Sequence, residues 1–304
     1  MDVLVFGSLN MDFVGFTNQL PVRGETMAVN DFSMVPGGKA ANQAVASSRL
    51  GARAGMVGKI GKDYLGDLMK DGLTTENVLV DHVTVTSKSS TGVAMVTVDG
   101  HGQNTIVTYK GSNALLEKQD IDRAEDLLKH AEVTVLQLEM EQEVAEYIIQ
   151  KAKDLGRKVV LNLAPVVPIT KDILKKVDVL IVNETEASQL TNTDVTSIES
   201  AIIAAKQLQK NGIEHVIITL GEQGAVLQSE TTFHYNAPKV PVIDSTAAGD
   251  CFVAAVATFW IETKDLSLAV KKAVHAAALS VTKKGAQTSL PTLNEVEAFM
   301  TKEG

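Results

Sequence analysis

The sequence predicts an α/β protein in which a largely parallel sheet is covered by helices. Two observations carry this expectation. Short apolar, β-branched runs recur along the 304 residues, and amphipathic stretches of helical spacing separate them. Strand–helix–strand repetition at this spacing is the pattern of crossovers between parallel strands. Each run is nearly continuously apolar, as a strand buried on both faces must be.

The elements follow in order. VLVF at 3–6 opens as a strand. The stretch 40–51 has apolar residues at Ala41, Ala44, Val45 and Leu50 and stops at Gly51, as a helix does. Further strands are expected at 133–138, 158–163, 177–182 and 215–220, with helices at 141–155, 184–190 and 197–210. Val240–Ile243 reads as a strand end and Phe252–Trp260 as a helix. Residues 12–35 and 91–109 break the rhythm by alternating apolar and polar positions. Within 91–109 the pattern is that of two strands joined at Asp99-Gly100-His101-Gly102. These two segments are expected to pair into a small sheet. No low-complexity linker sets them apart, so residues 1–304 are read as one domain with a lid.

Bulk properties narrow the function. Net charge is −9 and the isoelectric point about 5.2, which gives no general attraction to nucleic acid or to anionic membranes. The single cysteine, Cys251, forbids an intrachain disulfide and fits a reducing compartment. The start MDVLVFGSLN lacks a basic segment and a long apolar one, so no secretory signal is expected. The longest apolar run, Phe252–Ile261, is too short to span a bilayer. These points lead to an expected cytoplasmic location.

Two nucleotide-binding patterns are missing: GxxxxGK[S/T] is absent, and GKIGKD at 58–63 has neither its spacing nor its hydroxyl. No GxGxxG follows the first strand, which weakens a dinucleotide-dependent oxidoreductase. A different anion site is written in IDSTAAGDCFVAAVATFW at 243–260. The small residues Thr246–Gly249 place backbone N–H groups at a helix start, where the dipole also favours negative charge. Asp250 there can be a plain helix-start carboxylate. It can also be the base that takes a hydroxyl proton beside an anion hole, as phosphoryl transfer to an alcohol requires. Gly37-Gly38 enters the helix at 40–51 with Lys39 and Asn42 as donors for sugar hydroxyls, and Asn10 and Asp12 follow the first strand, where open α/β sheets bind ligands.

These residues carry a resemblance. Residues 37–63 (GGKAANQAVASSRLGARAGMVGKIGKD) and 244–256 (DSTAAGDCFVAAV) resemble the two signatures of the ribokinase family of carbohydrate kinases. LQLE at 136–139, NLAP at 162–165, NETEA at 183–187, TLGEQG at 219–224 and KKGAQTSLP at 283–291 follow in the family's order. The resemblance implies a Rossmann-like three-layer α/β/α core with a small β-sheet lid, and an ATP-dependent sugar kinase. It implies Asp250 as general base and Ala247, Ala248 and Gly249 as the anion hole. Sugar contacts map onto Asn10, Met11, Asp12, Gly38, Lys39, Asn42, Glu139 and Asp250. Nucleotide contacts map onto Asn183, Thr219, Leu220, Gly221, Glu222, Gln223, Gly224, Gly249 and His275. Glu186 matches the residue tied to Mg2+ through water. Asp244, Thr246, Ser280, Lys283, Gly285 and Ser289 match a monovalent-cation loop, expected to hold K+ and several of them to act through backbone carbonyls. A homodimer through the lid is also implied.

Three positions depart from the family: Ala40 and Leu163 stand where glycine and proline are usual, and Cys251 where threonine is common. The Ala40 methyl is expected to crowd the sugar or shift the turn, Leu163 to act locally on the backbone. A thiol at a helix start can be activated, whereas burial would make it inert; modest oxidation sensitivity is expected. Asn10 is the residue of ribose-specific members, whereas deoxyribose kinases carry an apolar residue there. The sequence therefore favours D-ribose, phosphorylated at its 5-hydroxyl to ribose 5-phosphate. The alternatives are 2-deoxyribose, another sugar or a nucleoside on the same scaffold, and a sugar-binding protein without catalysis.

Overall fold

The computed structural model describes residues 1–101 and 103–303. Thirteen strands form two sheets among them. In chain order the strands are β1 (Val3–Phe6), β2 (Asn10–Phe16), β3 (Asp31–Gly37), β4 (Ala54–Gly61), β5 (Leu79–Thr86), β6 (Gly92–Val98), β7 (Asn104–Tyr109), β8 (Val133–Leu136), β9 (Lys158–Asn162), β10 (Val179–Asn183), β11 (His215–Thr219), β12 (Ala225–Gln228) and β13 (Thr232–Tyr235). The helices are α1 (Lys39–Arg49), α2 (Tyr64–Thr75), α3 (Lys118–Arg123), α4 (Glu125–His130), α5 (Gln142–Asp154), α6 (Lys171–Leu174), α7 (Glu184–Thr191), α8 (Ile198–Gln209), α9 (Ala248–Thr263), α10 (Leu266–Ser280) and α11 (Leu293–Glu303).

The large sheet has the order β13-β12-β11-β10-β9-β8-β1-β4-β5. From β5 to β11 the neighbours run parallel, and β12 and β13 close one edge antiparallel. Alternate residues of a strand face opposite sides, and here each side meets its own helical layer. Val3 and Val5 join a hydrophobic cluster with α1, α9 and α10. Leu4 and Phe6 join another with α5 and α8. The chain is thus a mixed α/β fold with a large, mainly parallel central sheet and a separate small one.

The small sheet has the order β3-β2-β6-β7. Its β2–β3 and β6–β7 pairs are antiparallel, but the two segments meet through β2 and β6, which run parallel. The turn expected at Asp99-Gly100-His101-Gly102 includes Gly102, which lies outside the described residues.

Two expectations need correction. Val240–Ile243 is not a strand end. Pro238 and Pro241 remove the backbone donors a ladder needs, and Ile243 N–H bonds instead to the Val281 carbonyl at 2.8 Å. The helix expected at Phe252–Trp260 begins earlier, at Ala248, so Asp250 lies inside its first turn. Strands β4 and β5 add to the sheet without having been read from the sequence. Gly55, Gly58, Gly61 and Lys59 mask the β4 pattern, although the strand is buried throughout.

Candidate active site

Parallel strands deliver their C-terminal ends to one rim of the sheet, and β1, β8, β9, β10 and β11 do so here. A cleft of about 140 Å³ at that rim is lined by Lys39, Asn162, Ala164, Ile181, Val182, Asn183, Glu186, Thr219, Ala247, Gly249, Asp250 and Val253. Residues from five separate motifs therefore meet in one place.

Asp250 forms its floor. The side chain is buried, and both carboxylate oxygens are held from α1. Asn42 Nδ2 donates to Oδ2 at 2.9 Å, and Gln43 Nε2 donates to Oδ1 at 3.0 Å. Burial pushes the carboxyl above its ordinary range, while the Lys39 charge and these two amides pull it back. Gln43 is itself fully buried and fixed: it accepts a short hydrogen bond from Gln137 Nε2 and also reaches Asn162 Oδ1 at 3.3 Å. The base candidate is thus the end of a buried amide chain.

The helix start beside it is built for an anion. Ala247 takes a left-handed conformation (φ 61°), which for a non-glycine residue costs about 1 kcal/mol. The Ala248 N–H is spent on the Ser245 carbonyl at 3.2 Å. The next two N–H groups, of Gly249 and Asp250, have no protein acceptor among the described residues. Open space adjoins Gly249.

The small sheet brings further carboxylates. Asn10 and Asp12 share one face of β2. Burial, with Glu139 and Asp250 nearby, pushes Asp12 up to about 7. The Ser8 hydroxyl donates to Glu139, a partner the sequence did not suggest. Lys39 sits among these acids. Burial works against its charge, but Asp250, Glu139 and Glu186 outweigh that and hold its pKa above the usual lysine value. Met11, expected beside the sugar, instead points to the opposite face of β2 and is sealed in the core, because side chains alternate along a strand.

Of the residues expected at the nucleotide, Asn183 caps α7: Glu186 N–H donates to its Oδ1 at 2.8 Å, and Asn183 N–H returns a bond to Glu186 Oε2 at 2.9 Å. Burial pushes Glu186 up, against the Asn183 N–H and the Lys39 charge. Thr219 ends β11 in the cleft, whereas Leu220 is buried in the core. Gly221, Glu222 and Gln223 form an exposed helical turn, and Gly224 takes a positive φ (89°) at a place where a Cβ would also strike the Tyr235 carbonyl, so glycine alone fits. His275 is not among the residues lining the cleft: its Nδ1 meets the Lys271 carbonyl at 2.8 Å and its ring stands against Phe299.

The residues expected to form a cation loop divide. Asp244 accepts from Thr246 N–H and Oγ1 and from Gly285 N–H at 2.6–2.9 Å. Burial raises its pKa, but those hydrogen bonds prevail and keep it below the ordinary range. Ser280 and Ser289 hydroxyls donate to the Ala277 and Ala286 carbonyls, and Lys283 pairs with Glu295 at 2.6 Å. Each of these side chains thus has a partner within the protein.

Two departures have a clear structural setting. The Ala40 methyl is fully buried against Gly7. Cys251 is buried and its thiol is pushed up to about 12, so the expected oxidation sensitivity is corrected: desolvation opposes the thiolate.

A buried carboxylate beside unpaired helix-start amides, at the rim of a doubly wound sheet, defines a phosphotransferase class of site. The pfkB family carbohydrate kinase profile matches residues 1–293. The ribokinase of Haemophilus influenzae is 37% identical over 297 residues, covering 97% of each chain. The deoxyribokinase of Salmonella typhi is 35% identical over 302 residues, covering 99% of each. The solved Arabidopsis thaliana ribokinase, complexed with ribose and ATP, superposes with a TM-score of 0.90 at 30% identity over 98% of each chain. The chain belongs to the pfkB family of carbohydrate kinases, and is a sugar kinase.

Proposed function

We propose that the protein phosphorylates D-ribose at its 5-hydroxyl with ATP, giving D-ribose 5-phosphate and ADP. The observation that carries this reading is the Asp250 carboxylate, held by Asn42 and Gln43 beside the unpaired Gly249 and Asp250 amides. Asp250 accepts the hydroxyl proton as the oxygen–phosphorus bond forms and the bond to the ADP oxygen breaks. The amides and Lys39 take up the charge on the transferring group. Asn10, Asp12, Asn42 and Glu139 orient the sugar, and Asn183, Thr219 and the 221–224 turn flank the nucleotide. The small sheet acts as a lid that keeps water from the phosphoryl group.

The residues present suit a magnesium ion carried by the nucleotide. Glu186 uses Oε2 in its cap, which leaves Oε1, and is a half-buried carboxylate near one lysine. Among the described residues no cluster of three acidic, histidine or cysteine side chains exists, and Glu186 is the residue that would hold the ion. Bound there, the ion would supply charge neutralisation for the transferring phosphoryl group. The loop at 244–289 offers an ionised Asp244 and carbonyl oxygens, which suits K+.

D-ribose is preferred because Asn10 offers a polar group that a 2-deoxy sugar leaves unpaired. Similarity to deoxyribokinases supports the alternative reading, 2-deoxyribose. Exposed Phe32, Met34, Met95, Ile106, Val107 and Tyr109 on the small sheet support a homodimer through it, which sedimentation would test. Among the described residues no helix is long and apolar enough to cross a membrane. The expected cytoplasmic location rests on the lone buried thiol.

The test is ATP consumption over a panel of sugars and nucleosides, with and without K+, beside Asp250→Asn. Fast turnover of D-ribose, slow turnover of 2-deoxyribose, stimulation by K+ and a loss above roughly 10²-fold in the variant are expected. Preference for another sugar overturns the substrate. An active variant overturns the base.

A further inference from the structure

The amide of Asn10 can face a sugar in two ways, with its oxygen or with its NH2. The choice is made by Asn113, in the 3₁₀ turn Gly111–Leu115. Asn113 is buried, and its own orientation is not free. The Leu9 backbone N–H donates to Asn113 Oδ1 at 2.9 Å, and a backbone N–H can only donate. Asn113 Nδ2 is thereby fixed as the opposite end, where it donates to the Leu9 carbonyl at 3.1 Å and to Asn10 Oδ1 at 2.8 Å. Asn10 must accept with its oxygen, and its NH2 is left without a protein acceptor among the described residues. Gly92 keeps this arrangement possible, because a Cβ there would collide with both amides.

We infer that Asn113 is a positioning residue for sugar selectivity, which locks Asn10 as a hydrogen-bond donor next to the acceptor Asp12 on the same face of β2. The inference rests on the proposed sugar site. A hydroxyl both donates and accepts, so one placed between Asn10 and Asp12 satisfies both. A sugar lacking that hydroxyl leaves a donor and an acceptor unpaired together. Asn113 acts only through Asn10.

The test is a double-mutant cycle of Asn10→Ala and Asn113→Asp, with kcat/KM measured on D-ribose and 2-deoxyribose. Asn113→Asp keeps the acceptor for Leu9 N–H and places a carboxylate oxygen against Asn10 Oδ1, which turns the amide over. The ribose value is expected to fall roughly tenfold while the 2-deoxyribose value stays within about twofold. The double variant is expected to match Asn10→Ala alone. Equal losses on both sugars, or additive losses in the double variant, would overturn the assignment. Wild-type preference is read first: a preference for 2-deoxyribose defeats the ribose reading, while the cycle on the sugar actually used still reports on Asn113. Side-chain amide NMR of the wild type needs neither folding of a variant nor turnover. Asn113 NH2 protons protected from exchange, beside fast-exchanging Asn10 protons, are expected; equally fast exchange of both would overturn the lock.

Discussion

Gln43 and Asp250 are 207 residues apart in the chain, and Gln43 Nε2 lies 3.0 Å from Asp250 Oδ1. The amide donates to the charged form of a carboxylate that burial pushes towards neutrality. Gln43→Met keeps the volume and removes the donor. The carboxyl then rises further, so ionised base appears only at higher pH. The acidic limb of kcat/KM against pH should move up, with a loss of roughly tenfold at pH 6. An unmoved limb with a uniform loss would separate Asp250 ionisation from Gln43.

Asp12 is pushed from 3.8 to about 7, which has a consequence for stability. The folded protein holds this proton more tightly than the unfolded chain. Its contribution is therefore fully present below pH 3.8 and is lost as pH rises through about 7. Asp12→Asn removes that loss. Thermal melts should show the variant more stable than wild type at pH 8, by about 2 kcal/mol after allowance for partial exposure, and little different at pH 4. The same variant should bind sugar poorly.

Gly37 touches the same carboxylate. A Cβ there would collide with the Asp12 side chain, whose flexible end can swing aside. Gly37→Ala should raise the sugar KM several-fold, with a change in stability under ~1 kcal/mol. A large fall in melting temperature with an unchanged KM would show that the backbone gave way instead.

Cys251 should be silent in the native protein. Its thiol is buried and pushed up to about 12. Titration with a chromogenic disulfide should find no reactive thiol before unfolding and one afterwards. Rapid native labelling would require an opening of α9.

What the sequence made legible follows its physical periods. Strands such as β10 carry an unbroken apolar run, Val179 to Val182, and α8 carries both its apolar stripe and its Ser197 cap. Lys39, Asn42 and Asp250 could be named from their local chemistry, and Asn183 and Glu186 from the family resemblance. Ser8, Gln43, Asn113, Gln137 and Asn162 could not. Each is an ordinary polar residue until a partner from a distant segment reaches it, as Asn113 does for Leu9 and Asn10. The amide order inside QAVASS or SNAL signals nothing about which carboxylate or backbone it will meet. Glycines in β4 hid that strand for a related reason: close packing against Leu9 and Gly7 matters there more than β-propensity.

The order in which the site's parts occur along the chain also sets when they can exist. Asn10, Asp12, Lys39, Asn42 and Gln43 leave the ribosome early, and Asp250 with its helix start leaves late. A nascent chain can thus lay down the sheet and the sugar-facing strands while it still lacks the carboxylate assigned as base. Gln43 and Asn42 wait for their acceptor until α9 docks. The carboxylate assigned as base is thus among the late arrivals of synthesis, and a chain that stops short of α9 lacks it and the helix-start amides beside it.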